Sequence, residues 1–290
     1  MASKDYLNIV NSLANKRTKL DAQAKAIIKK EYEQLYRDIT KELKNKKGVS
    51  RSYYLGLRRA IQQQLKYIDS NNTKMIIKQA TEISNEIAKA HSQYYNKLSS
   101  TDLFNKVFSK VPEVVMNNLI SGKLYQDGLG LSTRIWKLTN KYGQTIDYVI
   151  RKSIASGESV DMLANRLLAF LRDDIKGNKA YYTYRLANTT ITHSYQLAIQ
   201  QINRDNPFCE GILWVAAGGK SCPLCQSRDG IIYESNFNYG NYTTEPLPWE
   251  HPNGQCIMIP QMQDSDTISE QLKEWLYNGD TLIDEWTNGF

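Results

Sequence analysis

The chain has 290 residues, a net charge of +7, four cysteines and three histidines. That length buries a sizeable core without cross-links, and so few cysteines exclude a disulfide-stapled scaffold. The start, MASKDYLNIVNSLANKRTKL, lacks the apolar core of about 7 to 15 residues that a cleaved signal carries, and no window approaches the roughly 18 apolar residues of a membrane span, so a soluble chain in a reducing cytoplasm is expected.

The charge is unevenly placed. Residues 1–100 hold 20 Lys and Arg against 9 Asp and Glu, whereas residues 257–290 hold one Lys and seven acidic residues. The two ends therefore meet different surroundings. From Tyr6 to about Leu98 the chain has no Pro, and apolar residues such as Ile27, Ile28, Tyr32, Leu35, Tyr36, Ile39 and Leu43 recur at helical spacing. The pattern predicts long helices packed as hairpins. NKKGVSR around Gly48 supplies a break, and DSNNTK at 69–74 predicts a second turn, since Asp and Asn side chains bond their own backbone.

A second helical block is expected from about Thr101 to Asn203. Within it, KSIASGESVDMLANRLLAFL predicts two helices, with Gly157 ending the first in a left-handed conformation, Ser159 capping the second and Asp161 in its first turn. Val160, Leu163, Leu167, Leu168 and Phe170 give the second helix a buried face. The pair is a helix-turn-helix in the geometric sense, with DNA reading as the alternative to plain packing.

After Asn206-Pro207 the texture changes to two β-like runs, ILWVAA and DGIIYES, followed by a polar loop rich in Tyr and Asn. DTISEQLKEWLYNGD then predicts an amphipathic helix carrying Ile268, Leu272, Trp275 and Leu276. Trp286 and Phe290 lie near the end of the sequence, where apolar side chains point to docking on another surface.

Three of the four cysteines and one of the three histidines gather between the β-like runs and this helix. Cys222, Cys225, His251 and Cys256 form C-x2-C-x25-H-x4-C, a ligand set suited to tetrahedral zinc. Pro223 presets part of the knuckle turn, and zinc would tie the intervening loop to it; in zinc-finger peptides such binding contributes about 10 to 16 kcal/mol to folding. Two readings stand beside this one: free thiols with a coincidental histidine, and an all-cysteine site using Cys209 in place of His251. With four protein ligands no position is left for an activated water, so the zinc is expected to be structural. H-x-E ahead of the CxxC, H-E-x-x-H, a Gly-rich phosphate loop and G-x-S-x-G are absent from the sequence, and His91 and His193 read as surface or core histidines rather than bases.

LSTRIWKLTN with IASGESVDMLANRL, YRLANTTITHSYQLA, and the block from Trp214 to Cys256 together resemble the Mu F-like minor head proteins of tailed bacteriophages, the phage head morphogenesis family. The resemblance covers about residues 129–260 and is most specific at CPLCQSRDG with HPNGQC. The chain departs from the family pattern at Asn188-Thr189-Thr190, where that pattern has Arg-Thr-Glu, and at Gly254-Gln255, where it has Cys and Arg. The resemblance implies a non-enzymatic assembly protein of the virion interior, made in the host cytoplasm. Its implied partners are the portal protein and the major capsid or scaffold protein, with non-specific contact to packaged double-stranded DNA and no membrane contact during assembly. The basic first third would meet DNA phosphates or solvent. The competing class is a phage-encoded zinc-dependent nuclease or effector.

The expected fold is mainly α, with helical hairpins in a bundle followed by a small zinc-stabilised α+β C-terminal module. Four segments are expected: a basic helical region over 1–100, a central helical Mu F-like region over 101–205, a zinc-binding module over 206–262, and an acidic helix and tail over 263–290.

Overall fold

Two long helices, α1 (Lys4–Lys44) and α2 (Arg51–Ser99), run side by side as an antiparallel pair. In this computed structural model the residues described are 4–44, 50–123, 128–169, 178–218, 221–235 and 254–290. Helix α1 buries one stripe, in which Val10, Leu13, Arg17, Leu20, Ala24 and Ile28 follow at steps of three and four. Ile27 and Tyr36, expected on the same face, stand at its outer edge and are 42% and 38% exposed. The break near Gly48 falls between α1 and α2, although residues 45–49 themselves lie outside the described residues. Ser50 caps α2 by accepting from the Tyr53 backbone N–H.

The turn expected at 69–74 does not exist: α2 passes through it without interruption. The turn-forming side chains are spent elsewhere. Both carboxylate oxygens of Asp69 accept from Lys179, Asn71 donates to Glu31, and the Thr73 hydroxyl bonds back to the Asp69 carbonyl at 2.7 Å. Tertiary partners thus outcompete the local backbone bonds that would have broken the helix.

Short helix α3 (Leu103–Val107) and a 3-10 turn at Phe108–Lys110 lead into α4 (Val111–Ser121), α5 (Leu131–Ala155) and α6 (Val160–Ala169). The α5–α6 corner follows the expectation. Gly157 has φ +62°, the Ser159 hydroxyl accepts from the Met162 backbone N–H, and Leu163, Leu167 and Leu168 are buried. Phe170 lies outside the described residues, and so does the side chain of Val160.

Helix α7 (Lys179–Asn203) is the axis of the molecule, packed against α1, α2, α4 and α5. It is buried along most of its length although Asn, Thr, Ser, Gln and His fill much of its middle. Several of these side chains solve the burial problem within the helix, as Thr183, Thr189 and Thr190 each donate to the carbonyl four residues back.

Beyond α7 come β1 (Cys209–Val215), α8 (Pro223–Arg228), β2 (Ile232–Tyr233) and β3 (Ile257–Met262), and the three strands form an antiparallel sheet in the order β2-β1-β3. Strand β3 was not anticipated. Its Pro260 is tolerated because β3 lies at the sheet edge among the described strands. Helices α9 (Ser265–Asn278) and α10 (Thr281–Asn288) close the described chain, each capped by an Asp side chain at its start. Trp286 is 2% exposed among Tyr95, Phe104, Phe108 and Phe208, and Phe290 lies against Phe108. The terminal aromatics therefore dock on the chain's own core, which draws side chains from all four segments. Among the described residues no helix is long and apolar enough to cross a membrane.

Candidate metal centre

The end of β1 sets the site. Trp214 and Val215 pair with Met258 and Ile257 of β3, so Cys256 stands just beyond the register, at the edge of the sheet next to the chain leaving β1. On the other side, Asp229-Gly230 folds the chain back onto β1. The Asp229 carboxylate accepts from the Ala216 N–H at 2.8 Å, Gly230 adopts φ +82° and its N–H donates to the Trp214 carbonyl at 3.0 Å. A residue with a Cβ would be strained at that backbone conformation. Between these fixed points sits the knuckle: Cys222 is the residue preceding α8, Pro223 begins the helix, and Cys225 follows within its first turn.

Three thiols consequently meet. Cys225 and Cys256 are each 3% exposed and pack on Trp214, with Cys222 half-buried against them. Burial first, then the neighbouring thiols of Cys256 and Cys222 with which it shares hydrogen bonds, push the Cys225 thiol up to about 12. The three thiols are in mutual contact. Among the described residues no group of three or more His, Cys, Asp or Glu side chains is set out to hold a metal ion. His251, the fourth expected ligand, lies outside the described residues. Cys209 does not join the cluster. It lies five residues back along β1, roughly 16 Å at strand spacing, with its thiol donating to the Gly211 carbonyl and pushed by burial to about 11. The all-cysteine alternative through Cys209 is therefore not supported by its position.

The chain's own atoms offer a test of fit to zinc. Trp214 Nε1 and Ser221 Oγ are buried without a hydrogen-bond partner among the described residues, the first packed on Cys225 and Cys256 and the second next to Cys222 in the chain. A thiol is a weak acceptor, whereas a thiolate held by a cation is a strong one, so metallation would offer these donors stronger acceptors. The donor set of soft sulfurs suits zinc and the orphaned donors suit its thiolates.

Two side chains that the sequence reading passed over hold this site from below. Arg17 of α1 donates from Nη1 to the Cys256 carbonyl at 3.3 Å and from Nη2 to the Gln255 carbonyl at 3.1 Å. Gln196 of α7 donates to the same Cys256 carbonyl at 3.1 Å. The signal for Arg17 was a cation standing at a position of the apolar stripe of α1; Gln196 carried no comparable signal. Arg228 of α8 lies over the Trp214 ring at 5.6 Å, a further cation beside the thiols.

The two other histidines, expected at the surface or in the core, are core residues. His91 is fully buried, with Nδ1 donating to the Ile87 carbonyl at 2.8 Å and Nε2 left to accept from the Tyr6 hydroxyl at 3.0 Å. Burial lowers it to about 4, and burial followed by the charge of Arg134 lowers His193 to about 3. Both folded values lie below the unfolded one near 6.5, so the stability they contribute is complete above pH 6.5 and is lost as pH falls through about 4. Acid titration followed by far-UV circular dichroism should show stability declining from about pH 6.5 downward. His91→Gln should flatten that limb, and an unchanged limb would show that His91 remains neutral in both states.

Comparison with family models, with curated proteins and with solved structures returns no match.

Proposed function

We propose that this chain is a minor head protein of a tailed bacteriophage, a non-catalytic assembly component of the Mu F-like kind that stands at the portal inside the capsid. The observation that carries the reading is the meeting of the CPLC knuckle with Cys256 of HPNGQC at one end of β1, since these are the most specific segments of the resemblance and lie about 30 residues apart. The α5–α6 corner at IASGES, also part of the resemblance, has the capped geometry its residues call for.

In this reading Cys222, Cys225, Cys256 and His251 would hold zinc, with Cys209 serving the core instead. Zinc there supplies a fixed cross-link between the knuckle and the loop leading to β3 and keeps the thiols ionised. The chain's own residues do the rest: Pro223 and Gly230 shape the knuckle, and Trp214 covers it. Lys19, Lys25, Lys29, Lys30, Arg37 and Lys41 stand exposed on α1 and supply the cations for non-specific contact with packaged DNA, whose affinity would fall steeply with salt.

The test has two arms. Elemental analysis of purified protein is expected to give close to one zinc per chain, reduced by Cys225→Ser; equal zinc in both, or none in either, removes the metal centre. Co-expression with the portal protein of the same phage is expected to capture the chain, and mass spectrometry to find it in mature particles. Absence from particles together with no capture overturns the head-protein reading. A metal-dependent nuclease activity lost in Cys225→Ser would put an enzyme in its place.

A further inference from the structure

We propose that Arg17 is a positioning residue of the metal centre, through which helix α1 and Cys256, 239 residues away, act as one unit. The inference rests on the zinc reading above and concerns what the helical body contributes to it.

Arg17 is 7% exposed, at the level of the hydrophobic core. A guanidinium so placed ordinarily faces a carboxylate, because a buried cation without an anion is costly. Among the described residues no carboxylate forms an ion pair with Arg17. Asp21, one turn along α1, takes the Tyr184 hydroxyl at 2.9 Å instead. The partners of Arg17 are two carbonyl oxygens and the ring of Tyr195, 5.5 Å away. These partners satisfy its N–H groups, and Asp21, one turn along α1, offsets part of the cost of burying its charge.

Both carbonyls belong to the segment that carries a proposed ligand. The donated bonds end on Gln255 and on Cys256 itself, and Gln196 adds a second bond to the Cys256 carbonyl from the opposite helix. Three N–H groups from α1 and α7 thereby fix the backbone of one ligand residue, as outer hydrogen bonds orient metal ligands generally. Arg228, over Trp214, is a second cation near the same centre and is not part of the clamp.

The arrangement predicts that metal affinity depends on a residue of α1 that touches no metal. Cobalt(II) ions alone serve as the probe, since thiolate-to-cobalt charge-transfer bands report ligation, with zinc competition giving affinity and thermal melts giving the metal-dependent gain in stability. Arg17→Met is expected to bind cobalt about 10 to 100-fold more weakly. Arg17→Lys, which keeps the charge but not the forked contact, should recover part of the loss. Gln196→Met, which removes one of the three bonds and no charge, should cost less than Arg17→Met and keeps the proposal open to test should that variant fold poorly. A residue that merely filled space would lower the metal-free melting temperature and leave cobalt affinity unchanged. Cobalt binding by folded Arg17→Met equal to that of the unaltered chain, or a Gln196→Met loss exceeding the Arg17→Met loss, overturns the inference while the metal centre stands. An unaltered chain that takes up neither cobalt nor zinc removes the metal centre, and this inference with it.

Discussion

Lys179→Met is expected to destabilise the protein by about 3 to 5 kcal/mol, the range for removing one partner of a buried ion pair. Lys179 opens the central helix α7 and is 1% exposed; its ammonium lies 2.7 and 2.9 Å from the two carboxylate oxygens of Asp69, which is 7% exposed on α2. Burial pulls the ammonium below its ordinary value and Asp69 pulls it back. Nearby, the Tyr32 hydroxyl and Thr183 hydroxyl bond each other at 3.2 Å, and the Asp69 carbonyl takes Thr73. Asp69→Leu combined with Lys179→Met should regain most of the loss, since an apolar pair of similar volume removes the desolvation cost. Urea unfolding at neutral pH with a constant slope is the measurement. A single-variant loss below about 1 kcal/mol would mean that water reaches the pair and that it behaves as a surface bridge.

The same pair explains where sequence reasoning stopped. Gly157 and Ser159 were legible because a left-handed end and a helix cap are decided by residues within one turn of each other. Asp69-Ser70-Asn71-Asn72 carried an equally strong local signal for a turn, and it was overruled by Lys179, 110 residues away in sequence. The stripe of α1 was readable from its period, but that period does not say why a cation stands at position 17; only the arrival of Gln255 and Cys256 from the far end of the chain does. Strand β3 was hidden because Pro260 argues against a strand unless the strand is known to be an edge, which is a fact about the sheet rather than the segment. The knuckle at Cys222 and Cys225 was legible for the opposite reason. Two thiols within one turn meet whatever the rest of the chain does, while the approach of Cys256 to them depends on the pairing of β1 with β3.

Trp286→Ala is expected to cost about 3 to 5 kcal/mol, the range for removing a large aromatic from a core. Trp286 fills the space between Tyr95, Phe104, Phe108 and Phe208, with ring centroids 5.1 to 5.8 Å away, and its Nε1 donates to the Ile202 carbonyl at 2.9 Å. Helix α10 has eight residues, too short to persist alone, so its order depends on that anchor. Losing the anchor should release α10, free Phe290 from Phe108 and part Trp275 from Asp284, whose carboxylate it meets at 2.9 Å. Trp286→Phe keeps much of the packing but leaves the Ile202 carbonyl unsatisfied, and should cost about 1 to 3 kcal/mol. Urea unfolding would rank the variants, and hydrogen exchange would show whether loss of protection stays within α9 and α10. Wild-type protection of α10 in Trp286→Ala would show that the helix is held by other contacts. The result also bears on partners. Of the aromatic residues expected to dock on another surface, Trp286 is buried in this chain's own core and Trp275 and Phe290 pack against it, and the apolar groups left outward on α9 and α10 are Leu276, Tyr277 and Leu282, the tyrosine 90% exposed. Loss of portal capture in Trp286→Ala would therefore report a released tail. Capture lost in Tyr277→Ala or Leu282→Ala, with α10 still protected from exchange, would report the contact itself.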